Sequence, residues 1–206
     1  MNKKLVFGVG INDADYTVKK SVEWCENGKR KRKLVWICPF YSKWQHMLER
    51  CYSEKLHKKY PTYKGCFVCK EWLTFSNFRN WMEKQDWKGK DLDKDIIYPG
   101  NKCYSAETCV FVDAKVNKFL TERQNDRGDY IIGVCWHKRA NKFMAQCRDG
   151  LGKRKHLGYF NTEIEAHKAW LEYKLKVAYQ LASEQTDPRI AKALIERYQS
   201  YKGDCL

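Results

Sequence analysis

Residues 130 to 174 read YIIGVCWHKRANKFMAQCRDGLGKRKHLGYFNTEIEAHKAWLEYK. Three short runs read as strands: Ile131 to His137, Lys142 to Arg148 and Lys155 to Phe160, and in the second Gln146 and Arg148 alternate with Ala145 and Cys147. Tight polar loops join them. Thr162, followed three residues later by Glu165, then opens an amphipathic helix with a capping box. The pattern predicts a small three-strand sheet backed by one helix.

The sheet is strongly basic. Lys138, Arg139, Lys142, Arg148, Lys153, Arg154 and Lys155 crowd its strands and loops, against Asp129 and Asp149. Such a surface calls for a polyanion, and a sheet face can enter the major groove of DNA. The whole chain points the same way: 40 Lys and Arg against 25 Asp and Glu give a formal net charge of +15 over 206 residues. Phosphate neutralisation supplies most non-specific affinity for nucleic acid, which favours that partner over a small neutral substrate. No apolar run is long enough to span a bilayer, and no basic amphipathic anchor sits at a terminus, so no membrane partner is expected. The start, MNKKLVFGVGIND, lacks the apolar core of a signal peptide. The ten cysteines are therefore read as reduced cytoplasmic thiols or metal ligands rather than a disulfide framework.

Working outward, residues 182–206 carry a last helix from Asp187-Pro188-Arg189 to Tyr201, with Pro in its first turn. Thr121 to Asp129 is polar and charged and reads as a linker. Residues 1–120 form a second domain. In it, Lys29 to Lys33 is a basic run after Asn27-Gly28, read as a solvated hairpin tip or linker, or as a phosphate-contacting arm. Trp44, Met47, Leu48, Cys51 and Tyr52 predict a helix from Ser42 to Leu56. Ser76 is placed as the cap of a helix holding Phe78, Trp81 and Met82. Leu92 to Ile97 reads as a strand, Pro99-Gly100-Asn101 as a turn, and Ser105 as the cap of a helix running to Leu120. The fold class is α+β.

Residues 130–178 resemble the AP2 DNA-binding domain. The matching landmarks are Gly133-Val134, Trp136, Phe143 to Arg148, Leu157-Gly158-Tyr159-Phe160 and the Thr162-x-x-Glu165-Ala166 helix start. The resemblance implies a three-stranded antiparallel sheet on one helix, with the sheet in the major groove. His137, Gln146, Arg148, Arg154 and His156 would then face the groove, with Arg139 in the DNA-binding set. Arg148 and Arg154 can grip guanine and Gln146 can pair with adenine. Lys142, Lys153 and Lys155 suit phosphates. Cys135 and Ile132 stand where plant members of the family carry base-contacting arginines.

Residues 92–117, LDKDIIYPGNKCYSAETCVFVDAKVN, resemble the ββα-metal finger of HNH nucleases. With Cys38-Pro39-Phe40-Tyr41, Arg50-Cys51-Tyr52, Cys69-Lys70-Glu71-Trp72 and Pro99-Gly100-Asn101-Lys102, nearly the entire chain is similar to phage-encoded HNH homing-endonuclease-like proteins that append an AP2-type domain. This implies metal-dependent cleavage or nicking of double-stranded DNA in the cytoplasm of an infected bacterium. A Mg²⁺ or Mn²⁺ ion would be held by Asp93, Asp95 and Asn117, with Asn101 orienting the strand or loop. Two departures stand out: Lys94 occupies the place of the strand His that normally activates water, and Thr108 replaces the middle Asn. Either Lys94 holds the scissile phosphate while metal-bound water attacks, or the site is slow or dead. A nuclease-derived DNA-binding protein or regulator is the alternative, and an RNA-binding accessory protein a third reading.

Cys66-x-x-Cys69 has the spacing of half a zinc site. Cys38 and Cys51 could complete it, and Cys103 and Cys109 could also serve; buried reduced thiols are the other reading.

Overall fold

The computed structural model describes residues 5–120, 129–148 and 154–201, with Arg148 described by its backbone. The chain is mixed α+β. It divides into two compact units, Met1–Phe111 and Val112–Leu206.

The first unit is built on one apolar helix, α1 (Pro39–Tyr52). Pro39 fits the first helical turn, where its missing amide hydrogen costs no bond. Tyr41, Trp44, Met47, Leu48 and Cys51 recur at three- and four-residue spacing and are buried. The helix stops earlier than its periodicity suggests. Ser53 leaves helical geometry, and its hydroxyl accepts the Leu56 amide at 3.3 Å to cap a new helix, α2 (Glu54–Lys59). The N-terminal segment crosses α1 so closely that a Cβ on Gly10 would lie 2.4 Å from Leu48 Cδ1. Helix α3 (Phe75–Met82) buries Phe75, Phe78 and Met82 against the same core, and the Trp44 indole donates to the Trp72 carbonyl at 2.7 Å. Ser76 is not its cap. Thr74 holds the N-cap position, and the Ser76 amide and hydroxyl both donate to the Asp13 carboxylate.

Ahead of this core, β1 (Lys19–Glu26) and β2 (Lys29–Ile37) form an antiparallel hairpin. Asn27 (φ 52°) and Gly28 (φ 74°) both take left-handed backbone, as a two-residue turn that follows strand twist requires. The tip is thus Asn27-Gly28, and the basic run Lys29 to Lys33 is strand rather than tip or linker.

Short strands complete the unit. Strand β3 (Phe67–Val68) pairs in parallel with β5 (Cys103–Tyr104), and β4 (Asp91–Asp93) pairs with β6 (Val110–Val112). Two sequence expectations are corrected here. The strand begun at Leu92 ends at Asp93, whose carboxylate accepts the amides of Asp95 (2.7 Å) and Ile96 (2.9 Å) and turns the chain. The helix expected from Ser105 to Leu120 is a turn, then β6, then α4 (Ala114–Leu120). Val110, Phe111 and Val112 are all buried, and a short apolar run of that kind suits a buried strand as well as a helix.

In the second unit, β7 (Val134–His137), β8 (Lys142–Arg148) and β9 (Arg154–Phe160) form an antiparallel sheet in the order β7-β8-β9. Helix α5 (Glu163–Ser183) packs on all three strands and against α6 (Pro188–Gln199). The Thr162–Glu165 capping box forms as expected, and Asp187 caps α6. Helix α4 belongs here rather than with residues 1–120: the Phe119 carbonyl accepts Lys174 Nζ at 3.1 Å and the Tyr198 hydroxyl at 3.2 Å. The α6 segment shares this core through Ile190, Leu194 and Tyr198 instead of standing apart. Of the expected linker, residues 121–128 lie outside the described residues. Among the described residues, no helix is long and apolar enough to cross a membrane.

Candidate nucleic-acid interface

Register assigns each residue of the basic sheet to a face. Val134 pairs with Ala145, Trp136 with Phe143, Phe143 with Phe160 and Ala145 with Gly158, and this side meets α5. Ala145 and Cys147 on that side are buried, as is Ala166 on α5. The alternate positions form the open side: Cys135 and His137 on β7, Lys142, Met144 and Gln146 on β8, and Arg154, His156 and Tyr159 on β9. A register shift between Ala145 and Gln146 opposes Gln146 to His156 rather than to Leu157. Because side chains alternate, that single shift keeps His156 on the open face.

Five of the expected contacts thus share this side: His137, Lys142, Gln146, Arg154 and His156. Arg148 pairs in register with Arg154, but its side chain, like Lys153, lies outside the described residues. Arg139 is exposed in the β7–β8 turn at residues 138–141. Lys155 is a correction. It stands opposite Cys147 on the helix side, with its ammonium 4.8 Å from the centre of the Tyr173 ring, so it does not share the open face.

Local bonds orient the polar groups. His137 Nδ1 accepts the Ala140 amide at 3.1 Å, which leaves Nε2 as the ring's donor in the neutral form. The Gln146 amide nitrogen rests 3.5 Å from Cys135 Sγ. Tyr159 was not singled out by sequence reasoning. It is 44% exposed at the centre of the face, with its ring 5.0 Å from that of His137 and 4.7 Å from that of His156. It pairs with Met144, which places it on the open face.

The residues of the nuclease-like motif form a self-contained turn. Lys94 is only 5% exposed. Its ammonium donates to both Asp95 oxygens at 2.7 Å and to the Asn101 carbonyl at 2.6 Å, using all three of its hydrogens. Asn101 returns the bond from its side chain: Nδ2 donates to the carbonyls of Lys94 (3.0 Å) and Cys103 (2.6 Å), and Oδ1 accepts the Cys103 amide at 3.0 Å. Thr108 Oγ1 donates to the Cys103 carbonyl at 2.8 Å. Desolvation pushes the Asp93 carboxyl above the usual carboxylate range, and its two backbone amides only partly offset that. Lys94 and Asp95 lie beyond the end of β4, and the Lys94 ammonium is engaged by Asp95 and the Asn101 carbonyl. Asn117 lies on α4 in the second unit, and its amide donates to the Asp113 carbonyl.

The cysteines do not gather as the four-thiolate reading requires. Cys38 precedes α1 and Cys51 lies in its last turn. Their thirteen-residue separation spans about 20 Å at the helical rise, too far for a shared metal. Cys38 instead meets the Tyr16 hydroxyl at 3.8 Å. Burial pushes the Cys51 and Cys109 thiols up to about 12 and Cys69 to about 11. Among the described residues, no group of three or more His, Cys, Asp or Glu is placed to hold a metal ion.

No protein-family model matches the chain, and neither the curated proteins nor the solved structures supply a match.

Proposed function

We propose that this chain is a double-stranded DNA-binding protein that reads sequence with the open face of β7–β9. The observation that carries the reading is the two-sidedness of the sheet: one side is apolar and covered by α5, while the other gathers His137, Lys142, Gln146, Arg154, His156 and Tyr159. Arg154 has the donors for a guanine edge and Gln146 for an adenine edge, while Lys142 and Arg139 at the strand end suit phosphates. Selection from a randomised duplex pool, followed by equilibrium binding, tests it. The proposal expects an enriched site that wild type prefers to random duplex and that Arg154→Ala and Gln146→Ala no longer discriminate. Equal affinity for every duplex would refute sequence reading.

Metal-dependent phosphodiester cleavage is the second reading, favoured by the carboxylates of Asp93 and Asp95 falling in one turn. Asp95 is already paired with Lys94, and a Mg²⁺ or Mn²⁺ ion taking that carboxylate would have to compete with the ammonium. This is why binding without cleavage stands first. Supercoiled plasmid incubated with the protein and either ion separates the two: nicking that is lost in Asp93→Asn but retained in Arg154→Ala would reinstate the nuclease reading.

A further inference from the structure

The β1–β2 hairpin carries charge and apolar area that the first unit's core does not use. Over residues 19–37 it holds Lys19, Lys20, Lys29, Arg30, Lys31, Arg32 and Lys33 against Glu23 and Glu26. Every residue from Val22 to Trp36 is exposed. Val22, Trp24 and Val35 are 52%, 42% and 55% exposed, although large apolar side chains on a solvated ribbon cost free energy unless something covers them. An isolated two-stranded ribbon is marginal in water by itself.

The register shows how the charge is distributed. Val22 pairs with Lys33, Trp24 with Lys31 and Glu26 with Lys29 on one face; Glu23 pairs with Arg32 and Cys25 with Arg30 on the other. Glu26 is salt-bridged to Lys31, and Glu23 lies 3.6 Å from Arg32. Lys29, Arg30 and Lys33 have no acidic partner in the hairpin's salt bridges. Cations therefore project from both faces. A flat anionic surface would meet only one face, whereas a groove walled by two phosphate strands meets both. The major groove is wide enough for a two-stranded ribbon. Same-face cations repeat every ~6.8 Å along a strand, about two base-pair steps along the duplex axis.

We infer that the β1–β2 hairpin is a second duplex-DNA contact, a basic arm that lies in the major groove and binds phosphates through Lys29 to Lys33. The inference rests on the duplex-binding reading above.

Cys25 is an exposed thiol beside Arg30 and supplies a local probe. The full-length protein is alkylated with iodoacetamide, with and without a saturating duplex, and modification of Cys25 is followed by mass spectrometry. Protection of fivefold or more by duplex is expected. In parallel, duplex affinity is measured across salt concentrations for wild type, K29A/K31A/K33A and K29R/K31R/K33R. The alanine variant should flatten the salt slope by roughly 2 to 3, about 0.9 for each phosphate no longer neutralised, and the arginine variant should keep it. If wild type binds duplex but Cys25 stays unprotected and the alanine variant keeps the wild-type slope, the arm inference alone is overturned. If wild type binds no duplex, the reading beneath it falls as well. Protection of Cys25 by anionic phospholipid vesicles and not by duplex also overturns the inference.

Discussion

Replacing Lys94 with Met tests whether this residue is architecture or chemistry. Met keeps the length of the side chain and removes the ammonium. Three hydrogen bonds disappear, two to Asp95 and one to the Asn101 carbonyl. Their costs differ. Asp95 is 49% exposed on its side chain, so water can replace the ammonium there and the loss is small. The Asn101 carbonyl loses a charged donor, worth about 1.5 to 3 kcal/mol. Met also avoids the desolvation that Lys94 suffers at 5% exposure, which returns part of the loss. The net expectation is a destabilisation of about 1 to 3 kcal/mol. Urea unfolding followed by tryptophan fluorescence measures it in the right place, since Trp24, Trp36, Trp44, Trp72, Trp81 and Trp87 lie in the first unit. Duplex affinity should stay within about twofold, a change of less than 0.5 kcal/mol. A variant as stable as wild type that loses duplex binding or cleavage would show that Lys94 acts on the nucleic acid and would refute the structural role.

Other perturbations probe the remaining links. Gly133 has φ +87°, and an added Cβ would lie 2.1 Å from Trp170 Cγ, so Gly133→Ala should cost about 2 to 4 kcal/mol in thermal unfolding and abolish duplex binding when the second unit melts. Thr162→Ala removes the acceptor of the Glu165 amide and should cost about 1 kcal/mol, read by the same melt, with duplex affinity retained below the transition. Asp93→Asn keeps an acceptor for the amides of residues 95 and 96 while removing the buried charge. Because the folded state raises this carboxyl's pKa, the native protein holds that proton more tightly, and stability attributable to it falls as pH rises through the raised value. Wild type should therefore lose stability relative to Asp93→Asn as pH rises above the ordinary carboxylate range, as paired urea titrations would show. On the selected DNA site, Arg154→Ala should cost about 1 to 3 kcal/mol and relax one base position, whereas Lys142→Ala should weaken all duplexes alike.

How far the sequence could be read depended on whether a residue's role was local. The β7–β9 sheet and α5 were legible because short strand-like runs between tight loops and the Thr162–Glu165 box are local signals. The hairpin tip was placed on the basic run that follows Asn27-Gly28, although two successive left-handed residues favour that pair. Placing Lys29 to Lys33 on a strand was harder, because five consecutive cations carry no period. Residues 105–120 were misread because the capping preference of Ser105 competes with the buried run Val110 to Val112, and pairing with Asp91–Asp93 decides for strand. At the candidate site, the shared face of His137, Gln146, Arg154 and His156 came from the resemblance to the AP2 domain; alternation alone would have turned Arg154 and His156 toward α5, and the shift beside Gln146 brings them to the open face. Tyr159 was missed because an aromatic in an apolar run reads as core. The burial of Lys94 could not be foreseen either: it depends on the Asn101 carbonyl seven residues away.

The small residues behind the basic sheet have a calorimetric consequence. Ala145 sits opposite Gly158 and Ala166 of α5 is fully buried, and Trp170 and Leu171 of the same helix are buried as well, so the sheet is backed by a packed core. A face backed in this way is formed before any ligand arrives. Duplex binding to it would cover mostly polar side chains and order little new chain, so the heat capacity change on binding should be small and negative. The exposed β1–β2 ribbon, with Val22, Trp24 and Val35 open to water, would add a larger negative increment when covered. The temperature dependence of the binding enthalpy thus distinguishes how much of the association belongs to the rigid board and how much to the arm.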